Sequence, residues 1–412
     1  MLISIIIPTR DRAEYLKHSI QTAISIPDKN IEIIISDNAS IDGTKDILKS
    51  LKDKRLKYVN TGKRVSMRAN FEFALKASSG EYVIFFGDDD GIIPQQFKYL
   101  RYILEEHTPD ALSWDFLTYV WPIKGYGKKT GGLRFVKKKI FGNVIQVNNK
   151  ESKETLLNAD FLNESKLPRI YHGCMSRHFL DTLINKDGIY FCSRSPDLHM
   201  SFRAAQKGGE FFRINHPFTI NGMSPASTGG GSRSLDTSNK SLSKSFEYKS
   251  ETEMDPIQDL LPLTKSMGFS FLSAVETLRY HFPNPPMKLN YFKWYVFCLE
   301  AIPKMDIKNA KEITDIIKSY AQTTSTETEF NKASSKYYYY KIKFFKLKEK
   351  IIHIPLSFRV IAELGKKNNI FTAARTADII LGQELEVIIK GEKSHRSCIQ
   401  LAKKRRQNLI NL

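Results

Sequence analysis

The chain has 412 residues, of which 41% are hydrophobic, and its formal net charge is +19. This length predicts two or three domains, and the hydrophobic content excludes a disordered chain. No stretch reaches the roughly 18 uninterrupted apolar residues of a membrane span. The apolar start, Met1–Pro8, is short and has no basic residues, so it is expected to be a strand and not a signal peptide. The cysteines lie far apart without metal-ligand spacing, which predicts reduced thiols of a cytosolic protein; they are Cys174, Cys192, Cys298 and Cys398.

The positive charge is concentrated towards the C-terminus. Residues 331–412 contain 18 Lys and Arg against 6 Asp and Glu, a net charge of +12. Such a surface attracts an anionic partner, either nucleic acid or the anionic leaflet of a membrane.

The first 120 residues alternate between short apolar runs and amphipathic stretches. The amphipathic stretches place apolar side chains on one face of a helix at 10–24, 66–78 and 95–106. Alternation of this kind predicts an α/β fold with a mostly parallel sheet and helices on both sides. The expected strands are 2–7, 31–36, 56–60, 81–86 and 110–116.

The remainder of the chain has a different pattern. Residues 223–250 are rich in Ser and Gly, which predicts a flexible loop or lid. After this loop the periodicity becomes mainly helical. We therefore predict an α/β domain at 1–222, the loop at 223–250, and a basic, mainly α-helical region at 251–412. The helices are expected at 255–280, 287–302, 308–321, 336–353 and 370–390.

Three adjacent acids, Asp88, Asp89 and Asp90, follow the apolar run that begins at Glu81. At the carboxyl end of a strand in an open α/β sheet, such charges are usually compensated by a divalent cation that carries a phosphorylated ligand. In an extended segment Asp88 and Asp90 point the same way, so both could face one ion. The alternative is a solvated acidic turn.

Three segments resemble family 2 glycosyltransferases of the GT-A fold, in the order that this family shows. Ser4–Arg12 resembles the first strand and its nucleotide-binding turn, and Glu32–Thr44 resembles the second strand and its acidic turn. Gly80–Asp90 resembles the strand that leads to the DXD motif. The resemblance covers about the first 220 residues and implies an inverting enzyme that uses a nucleotide-sugar donor, of the type that builds bacterial surface polysaccharides.

The resemblance also implies roles for individual residues. Asp90 would bind Mn²⁺ or Mg²⁺ together with Asp88, because hard oxygen ligands suit these ions. Asn38 stands where relatives commonly have an aspartate, which leaves the base of the nucleotide open. Arg64 and Arg68 are either a basic contact to the nucleotide or a solvated helix start. The residues expected on the nucleotide side are Pro8, Thr9, Asp11, Asp37, Asn38, Arg64, Arg68, Asp88 and Asp89.

A second acidic motif occurs at Ser195–Arg203. It resembles the family's motif at the start of a helix beneath the acceptor site, which would make Asp197 the general base. Asp197 could also be a helix-capping residue, and the two interpretations are compatible. The segment before it resembles the acceptor side of the site and supplies His172 and Arg177.

The C-terminal third lies outside the resemblance. Lys336–Ile352 interleaves aromatic and basic residues at helical spacing, which suits a helix on an anionic membrane surface. The alternative is a helix that packs on the catalytic domain, or an oligomerisation element, with a solvated basic face.

Together these observations predict a metal-dependent, inverting glycosyltransferase. Its donor would be a nucleotide-diphosphate sugar, expected to be UDP-linked, and its acceptor a hydroxyl of a glycan on a lipid carrier. Capsule or O-antigen synthesis at the inner face of the cytoplasmic membrane is the natural setting by family analogy. Two alternatives stay open: a nucleotidyltransferase that acts on sugar phosphates, and a basic nucleic-acid-binding protein.

Overall fold

The computed structural model describes residues 1–123, 130–161, 166–225, 257, 259–262, 264, 266–300, 307–335 and 356–410. The aromatic and basic stretch at 336–352 lies outside these residues, as does most of the predicted loop at 223–250. Within the described part of the chain, no helix is long and apolar enough to cross a bilayer.

Four parallel strands form the centre of the main sheet. They lie in the order β4-β1-β2-β3. Successive side chains of a strand point to opposite faces, so a run of isoleucines fills both sides of the sheet. Ile5 packs into the core on one face, and Ile6 packs into the core on the other. The strands are β1 (Ile3–Thr9), β2 (Ile31–Asp37), β3 (Leu56–Asn60) and β4 (Tyr82–Phe85).

Strands of mixed direction extend this centre into a sheet of eleven strands. The longest of them, β6 and β10, are parallel to each other, whereas their other pairings are antiparallel. The added strands are β5 (Gly91–Ile92), β6 (Ala111–Val120), β7 (Gly132–Val136), β8 (Val144–Val147), β9 (Gly173–Ser176), β10 (Phe211–Met223) and β11 (Ser357–Ile361).

Helices flank the sheet on both faces. An apolar side of α1 and α4 packs on one face, and an apolar side of α3 packs on the other. The helices of this part are α1 (Ala13–Ile24), α2 (Thr44–Ser50), α3 (Met67–Lys76), α4 (Phe97–His107), α5 (Asn149–Leu157), α6 (Arg177–Asp181) and α7 (Pro196–Lys207).

A separate helical core follows in the sequence. Trp294, Tyr295 and Phe269 are buried at its centre, and it also takes apolar side chains from α5 and α7. This core therefore rests directly on the helix that carries Asp197. Its helices are α8 (Met267–His281), α9 (Tyr291–Leu299), α10 (Ile307–Thr323) and α11 (Glu327–Ser334).

The last part of the chain returns to the main sheet. Strand β11 pairs antiparallel with β7, and α12 (Ile370–Leu381) packs against α1. Asp378 on α12 accepts from the backbone N–H of Gln95, just before α4. Residues after 356 therefore complete the core that the first 220 residues begin. The elements that follow β11 are a small hairpin of Glu363–Leu364 and Lys367–Asn368, then α12, α13 (Glu384–Ile389) and α14 (His395–Ile410).

The predicted fold class is confirmed. Each of the five predicted strands corresponds to one of β1, β2, β3, β4 and β6, within a few residues at either end. The C-terminal region is mainly helical, with β11 as its contribution to the sheet. The helix predicted at 370–390 is two helices, because Gly382 adopts a φ of +57° and ends α12. The predicted domain boundaries stay a prediction.

Candidate active site

The three acids lie in a tight turn at the carboxyl end of β4. We call residues 87–90 the acid turn; it closes with a hydrogen bond of 3.1 Å from the N–H of Asp90 to the carbonyl of Gly87. The expectation of an extended segment was wrong, because a turn reverses the chain and gives Asp88 and Asp90 different neighbours. All three side chains are at most 3% exposed.

Asp88 is held by the turn that follows β1. The Thr9 hydroxyl donates to its Oδ2 at 2.7 Å, and Arg12 Nη1 lies 3.0 Å from its Oδ1. Burial raises the pKa of Asp88, and the Arg12 guanidinium opposes this effect. The ion pair therefore fixes the acid turn against the first strand of the sheet.

Asp90 has the largest set of donors. Its Oδ2 accepts from the Tyr171 hydroxyl at 2.6 Å and from the Gly87 N–H at 2.9 Å, and its Oδ1 accepts from the Gly222 N–H at 2.6 Å. His172 Nε2 lies 3.4 Å from Oδ2. Burial alone would raise the pKa of Asp90, but His172 and these hydrogen bonds outweigh it and the pKa is lowered. Asp90 is thus held as a carboxylate.

Asp89 faces a third direction, towards the end of β10. Its Oδ2 accepts from the Ser224 hydroxyl at 2.5 Å, and its carbonyl accepts from Trp121 Nε1 at 2.9 Å. Burial, followed by the neighbouring Asp90, raises the pKa of Asp89 to about 8. The surroundings therefore compensate an ionised Asp89 less well than they compensate Asp90.

The turn after β1 brings Asp11 and Arg64 together. Asp11 adopts a φ of +52°, and its carboxylate accepts from Arg64 Nη2 at 2.7 Å and from the Ile41 N–H at 2.9 Å. Pro8 lies beside this turn and is half-buried. These predicted nucleotide-side residues are therefore neighbours at one edge of the sheet.

Asp37 and Asn38 lie at the carboxyl end of β2, where the sequence placed them. Asp37 accepts from the Tyr58 hydroxyl at 2.7 Å and from the side chain of Asn60 at 3.0 Å. Asn38 forms two hydrogen bonds with the backbone of Val65, of 2.7 and 2.8 Å. Both are at most 1% exposed, so in this structure they shape the loop between β3 and α3. Their contact with a nucleotide stays a prediction.

Asp197 lies in the first turn of α7 and is half-buried. It acts electrostatically on Tyr171, whose pKa is raised first by burial, then by the acid-turn carboxylates, and also by Asp197. Tyr171 thus contacts Asp90 and is also close enough to Asp197 to be affected by its charge. Arg68 Nη1 donates to the Cys192 carbonyl at 2.8 Å and so holds the loop that leads into α7.

The two residues predicted on the acceptor side lie in different places. His172 Nδ1 contacts the Thr219 hydroxyl at 2.9 Å, so His172 bridges the acid turn and β10. Arg177 lies at the opposite end of β4, where its guanidinium donates to the carbonyl of Gly80 at 3.2 Å and to the Ser78 hydroxyl at 2.6 Å. The structure therefore does not bring Arg177 to the site.

Sequence reasoning missed the partners that hold the acid turn in place. The sequence does not predict a role in the site for Tyr171, Trp121, Gly222 or Ser224. A Cβ on Gly222 would lie 1.7 Å from the carbonyl oxygen of Asp89, so a side chain is excluded there. The one available signal was the glycine itself, immediately before the predicted loop at 223–250.

The carboxylate oxygens of the acid turn are suitable ligands for a hard cation. Carboxylate oxygens are the ligands that Mg²⁺ and Mn²⁺ prefer, and three buried acids share one arginine and one histidine. The described residues contain no ready group of three His, Cys, Asp or Glu that could hold a metal ion. Such an ion would therefore need oxygen ligands from its substrate as well.

The buried carboxylates lie at the carboxyl ends of the parallel strands, which is where open α/β sheets bind ligands such as nucleotides. The family model of Glycosyl transferase family 2 matches residues 4–163. The predicted resemblance to this family is therefore confirmed over residues 4–163.

Curated relatives match part of the chain. A Campylobacter jejuni protein named GalNAc(5)-diNAcBac-PP-undecaprenol beta-1,3-glucosyltransferase is 35% identical over 94 residues, which is 22% of this chain and 30% of that one. The Escherichia coli protein WfaP, a UDP-Glc:alpha-D-GlcNAc-diphosphoundecaprenol beta-1,3-glucosyltransferase, is 35% identical over 89 residues, which is 22% of this chain and 36% of that one. The chain thus spans about a third of the length of these two relatives.

Solved structures align over more of the chain but at low identity. S. aureus TarS 1-349 in complex with UDP-GlcNAc aligns with a TM-score of 0.44 and 15% identity, and the alignment covers 78% of this chain and 92% of that one.

The close approach of Gly222 to the acid turn can be tested by substitution. We expect Gly222→Ala to lower the free energy of unfolding by about 2 kcal/mol or more, because its Cβ must push the Asp89 carbonyl away from Trp121. Urea denaturation followed by tryptophan fluorescence measures this change. Gly43→Ala is the matched control, because no heavy atom lies within 4 Å of a Cβ there. Equal unfolding midpoints for the two variants would contradict the described packing.

Proposed function

We propose that this protein is a metal-dependent, inverting glycosyltransferase. It moves a sugar from a nucleotide-diphosphate donor, a UDP-sugar, to a hydroxyl of a lipid-linked glycan in surface-polysaccharide synthesis. The observation that carries the proposal is the convergence of Asp88 and Asp90 with the β1 turn, Tyr171 and the end of β10 at one edge of the sheet. The family match of residues 4–163 supports the class of reaction.

The donor lies along the carboxyl ends of β1, β2 and β4. Its nucleoside is closest to the β1 turn, where Asp11, Arg64 and Thr9 offer hydrogen-bonding groups and charge. Its diphosphate lies towards the acid turn. UDP is the proposed nucleotide because WfaP is named as a UDP-Glc enzyme. Asn38 and Asp37 would need to exchange internal hydrogen bonds to contact the base.

Asp90 and Asp88 would hold a Mn²⁺ or Mg²⁺ ion, with Asp89 close by. When bound, this ion stabilises the negative charge that develops on the leaving diphosphate. Tyr171, Gly222 and His172 hold the Asp90 carboxylate in one orientation, so the ligand is positioned before the donor arrives.

Asp197 is the proposed general base. Its place in the first turn of α7 keeps it on the Tyr171 side of the acid turn. It takes the proton from the acceptor hydroxyl as that oxygen attacks the anomeric carbon, while the bond to the diphosphate breaks on the opposite face. A single displacement of this kind inverts the anomeric configuration.

The acceptor is proposed to be linked to a lipid through a diphosphate. Two relatives are named for acceptors on diphosphoundecaprenol or its equivalent. Neither alternative function is favoured: a nucleotidyltransferase does not fit the family match, and a nucleic-acid-binding protein gives the buried carboxylates no role.

The metal proposal predicts that Asp90→Asn loses nucleotide binding in the presence of Mn²⁺. Asparagine keeps the size and accepts hydrogen bonds but lacks the charge that holds the ion. For the wild type, UDP and Mn²⁺ at about 100 times the dissociation constant should add about 2.7 kcal/mol of stability, which a thermal-shift assay detects. EDTA should abolish the shift, and Asp46→Asn, whose side chain is 81% exposed, should keep it. An undiminished shift for Asp90→Asn would remove the metal role.

The base proposal predicts that Asp197→Asn slows sugar transfer by roughly 10²–10⁴-fold, because an amide cannot accept the proton. UDP release from the sugar nucleotide that the wild type uses gives the rate, and thermal shift with UDP and Mn²⁺ should stay as in the wild type. Asp187→Asn, an exposed residue ten positions earlier, is the control. Loss of nucleotide affinity with an unchanged rate at saturation would contradict the assignment.

A peripheral position on an anionic membrane surface is proposed for the full-length protein, from the basic and aromatic sequence at 336–352. Truncation cannot test it cleanly, because β11, α12 and α14 complete the main core. Replacing Lys343, Lys346 and Lys350 by Glu should instead release the intact protein from phosphatidylglycerol vesicles at moderate salt. If the triple variant still co-sediments with vesicles as the wild type does, this position is wrong.

A further inference from the structure

Four neighbouring strands place one row of side chains on a single face of the main sheet. Asn221 on β10 is opposite Thr118 on β6, Thr118 is opposite Arg134 on β7, and Arg134 is opposite Arg359 on β11. Side chains in register on adjacent strands point to the same side of the sheet. We call these four residues the arginine row.

The orientation of the row follows from what lies on the other face. The residues next to each member in its strand are buried in one apolar core, which α12 and α14 cover. Side chains alternate along a strand, so the arginine row faces away from that core. All four members are half-buried. The buried neighbours are Ile220 on β10, Leu117 and Tyr119 on β6, Leu133 and Phe135 on β7, and Phe358 and Val360 on β11.

The acid turn lies at the end of the same row. Strand β5 pairs antiparallel with β10, with Gly91 opposite Ile220 and Ile92 opposite Thr219. The register ends there, because residues 87–90 form the acid turn; the Asp90 carboxylate accepts from the N–H of Gly222, the residue after Asn221. On β6, Phe116 points to the same side of the sheet as Thr118 and contacts His172, whose Nε2 lies 3.4 Å from Asp90 Oδ2. The contact between His172 and Asp90 and the arginine row therefore lie on the same side of the sheet. Adjacent strands lie about 4.8 Å apart, so across the sheet the backbone of Arg134 is about 10 Å from that of Asn221, and the backbone of Arg359 is about 15 Å from it.

Two arginines directly opposite each other are unfavourable without an anion. Like charges at such cross-strand positions destabilise a sheet, with Cα atoms only about 5 Å apart. Burial and the nearby Arg134 both lower the pKa of Arg359. Within the described residues, neither guanidinium has a hydrogen bond or an ion pair to a carboxylate. The other cations near this face are already engaged: Lys139 pairs with Asp115 at 2.8 Å, and Arg169 donates to the carbonyl of Trp114.

We propose that Arg134 and Arg359 bind the diphosphate of the acceptor substrate. Paired guanidinium groups match the oxygens of phosphate groups, which they can bind through parallel N–H···O hydrogen bonds. The distance from the acid turn is too long for the donor's own diphosphate and leaves room for a glycan whose hydroxyl reaches the acid turn. The identification of the bound substrate as the acceptor rests on the proposed function. Anion binding by Arg134 and Arg359 can be tested independently of it.

Calorimetric titration with inorganic pyrophosphate, in EDTA and with the full-length protein, tests the site directly. We expect the double variant Arg134→Gln/Arg359→Gln to bind pyrophosphate at least 10-fold more weakly than the wild type. Lys403→Gln/Lys404→Gln removes the same charge from exposed positions on α14 and should bind as the wild type does. Arg134→Lys/Arg359→Lys keeps the charge without the planar fork and should fall between them.

Thermal denaturation separates binding from folding. Replacing both like-charged arginines removes no favourable ion pair from the sheet, so the glutamine variant should melt at or above the wild-type temperature without pyrophosphate. Pyrophosphate should raise only the wild-type melting temperature. Farnesyl diphosphate should compete with pyrophosphate, and farnesol should not. Equal pyrophosphate affinity in the wild type and the glutamine variant, or an equal loss in the Lys403/Lys404 control, would overturn the proposal.

Two further outcomes distinguish the acceptor-diphosphate site from membrane binding and from the proposed function. If the glutamine variant binds pyrophosphate normally but leaves phosphatidylglycerol vesicles, the pair contacts a membrane surface and the acceptor site is wrong. If the wild type binds pyrophosphate more tightly than the glutamine variant but transfers no sugar, the anion site is supported and the proposed function is wrong. For an active enzyme, the variant should raise the KM for a diphosphate-linked acceptor at least 10-fold and leave the KM for the donor unchanged.

Discussion

The buried carboxylates of the acid turn are the constraint around which the rest of the structure is arranged. Three adjacent acids at most 3% exposed would repel one another strongly without fixed donors. The protein supplies these donors from separate parts of the chain: Thr9 and Arg12 from the start of the sheet, Tyr171 and His172 before β9, and the end of β10. Each of these segments is therefore fixed by the same few oxygen atoms.

This arrangement explains why β10 is long and irregular. It must pair with β6 along its length and also bring the Gly222 N–H to Asp90 at its end, and its register with β6 shifts twice between Ile214 and Thr219. The absence of a side chain at Gly222 lets the strand approach the Asp89 carbonyl. Ser224, one step beyond the strand, then donates to Asp89. The Ser- and Gly-rich segment thus begins at the end of β10, next to the acid turn.

The sequence predicts the centre of the fold well because its signals are local. β1, β2 and β4 are short apolar runs that end in polar turns, and such runs identify buried parallel strands. The position of Asp88, Asp89 and Asp90 after β4 follows from the same pattern. Their conformation does not, because the turn depends on a backbone bond within it and on Thr9 and Tyr171, which are remote in sequence.

The positions of several arginines depend on pairing between strands that are distant in sequence, so the sequence does not predict them. Arg177 matched the family's segment, yet it bonds the carbonyl of Gly80 and the Ser78 hydroxyl at the far end of β4, which only the antiparallel pairing of β9 with β4 reveals. Arg134 and Arg359 are 225 positions apart and look like ordinary surface cations until β11 pairs with β7. The pairing gives the basic C-terminal region a second role beside its net charge. It places one cation of that region on the same side of the sheet as the contact between His172 and Asp90, so the chain's charge excess is directed in part at the site and not only at an external surface.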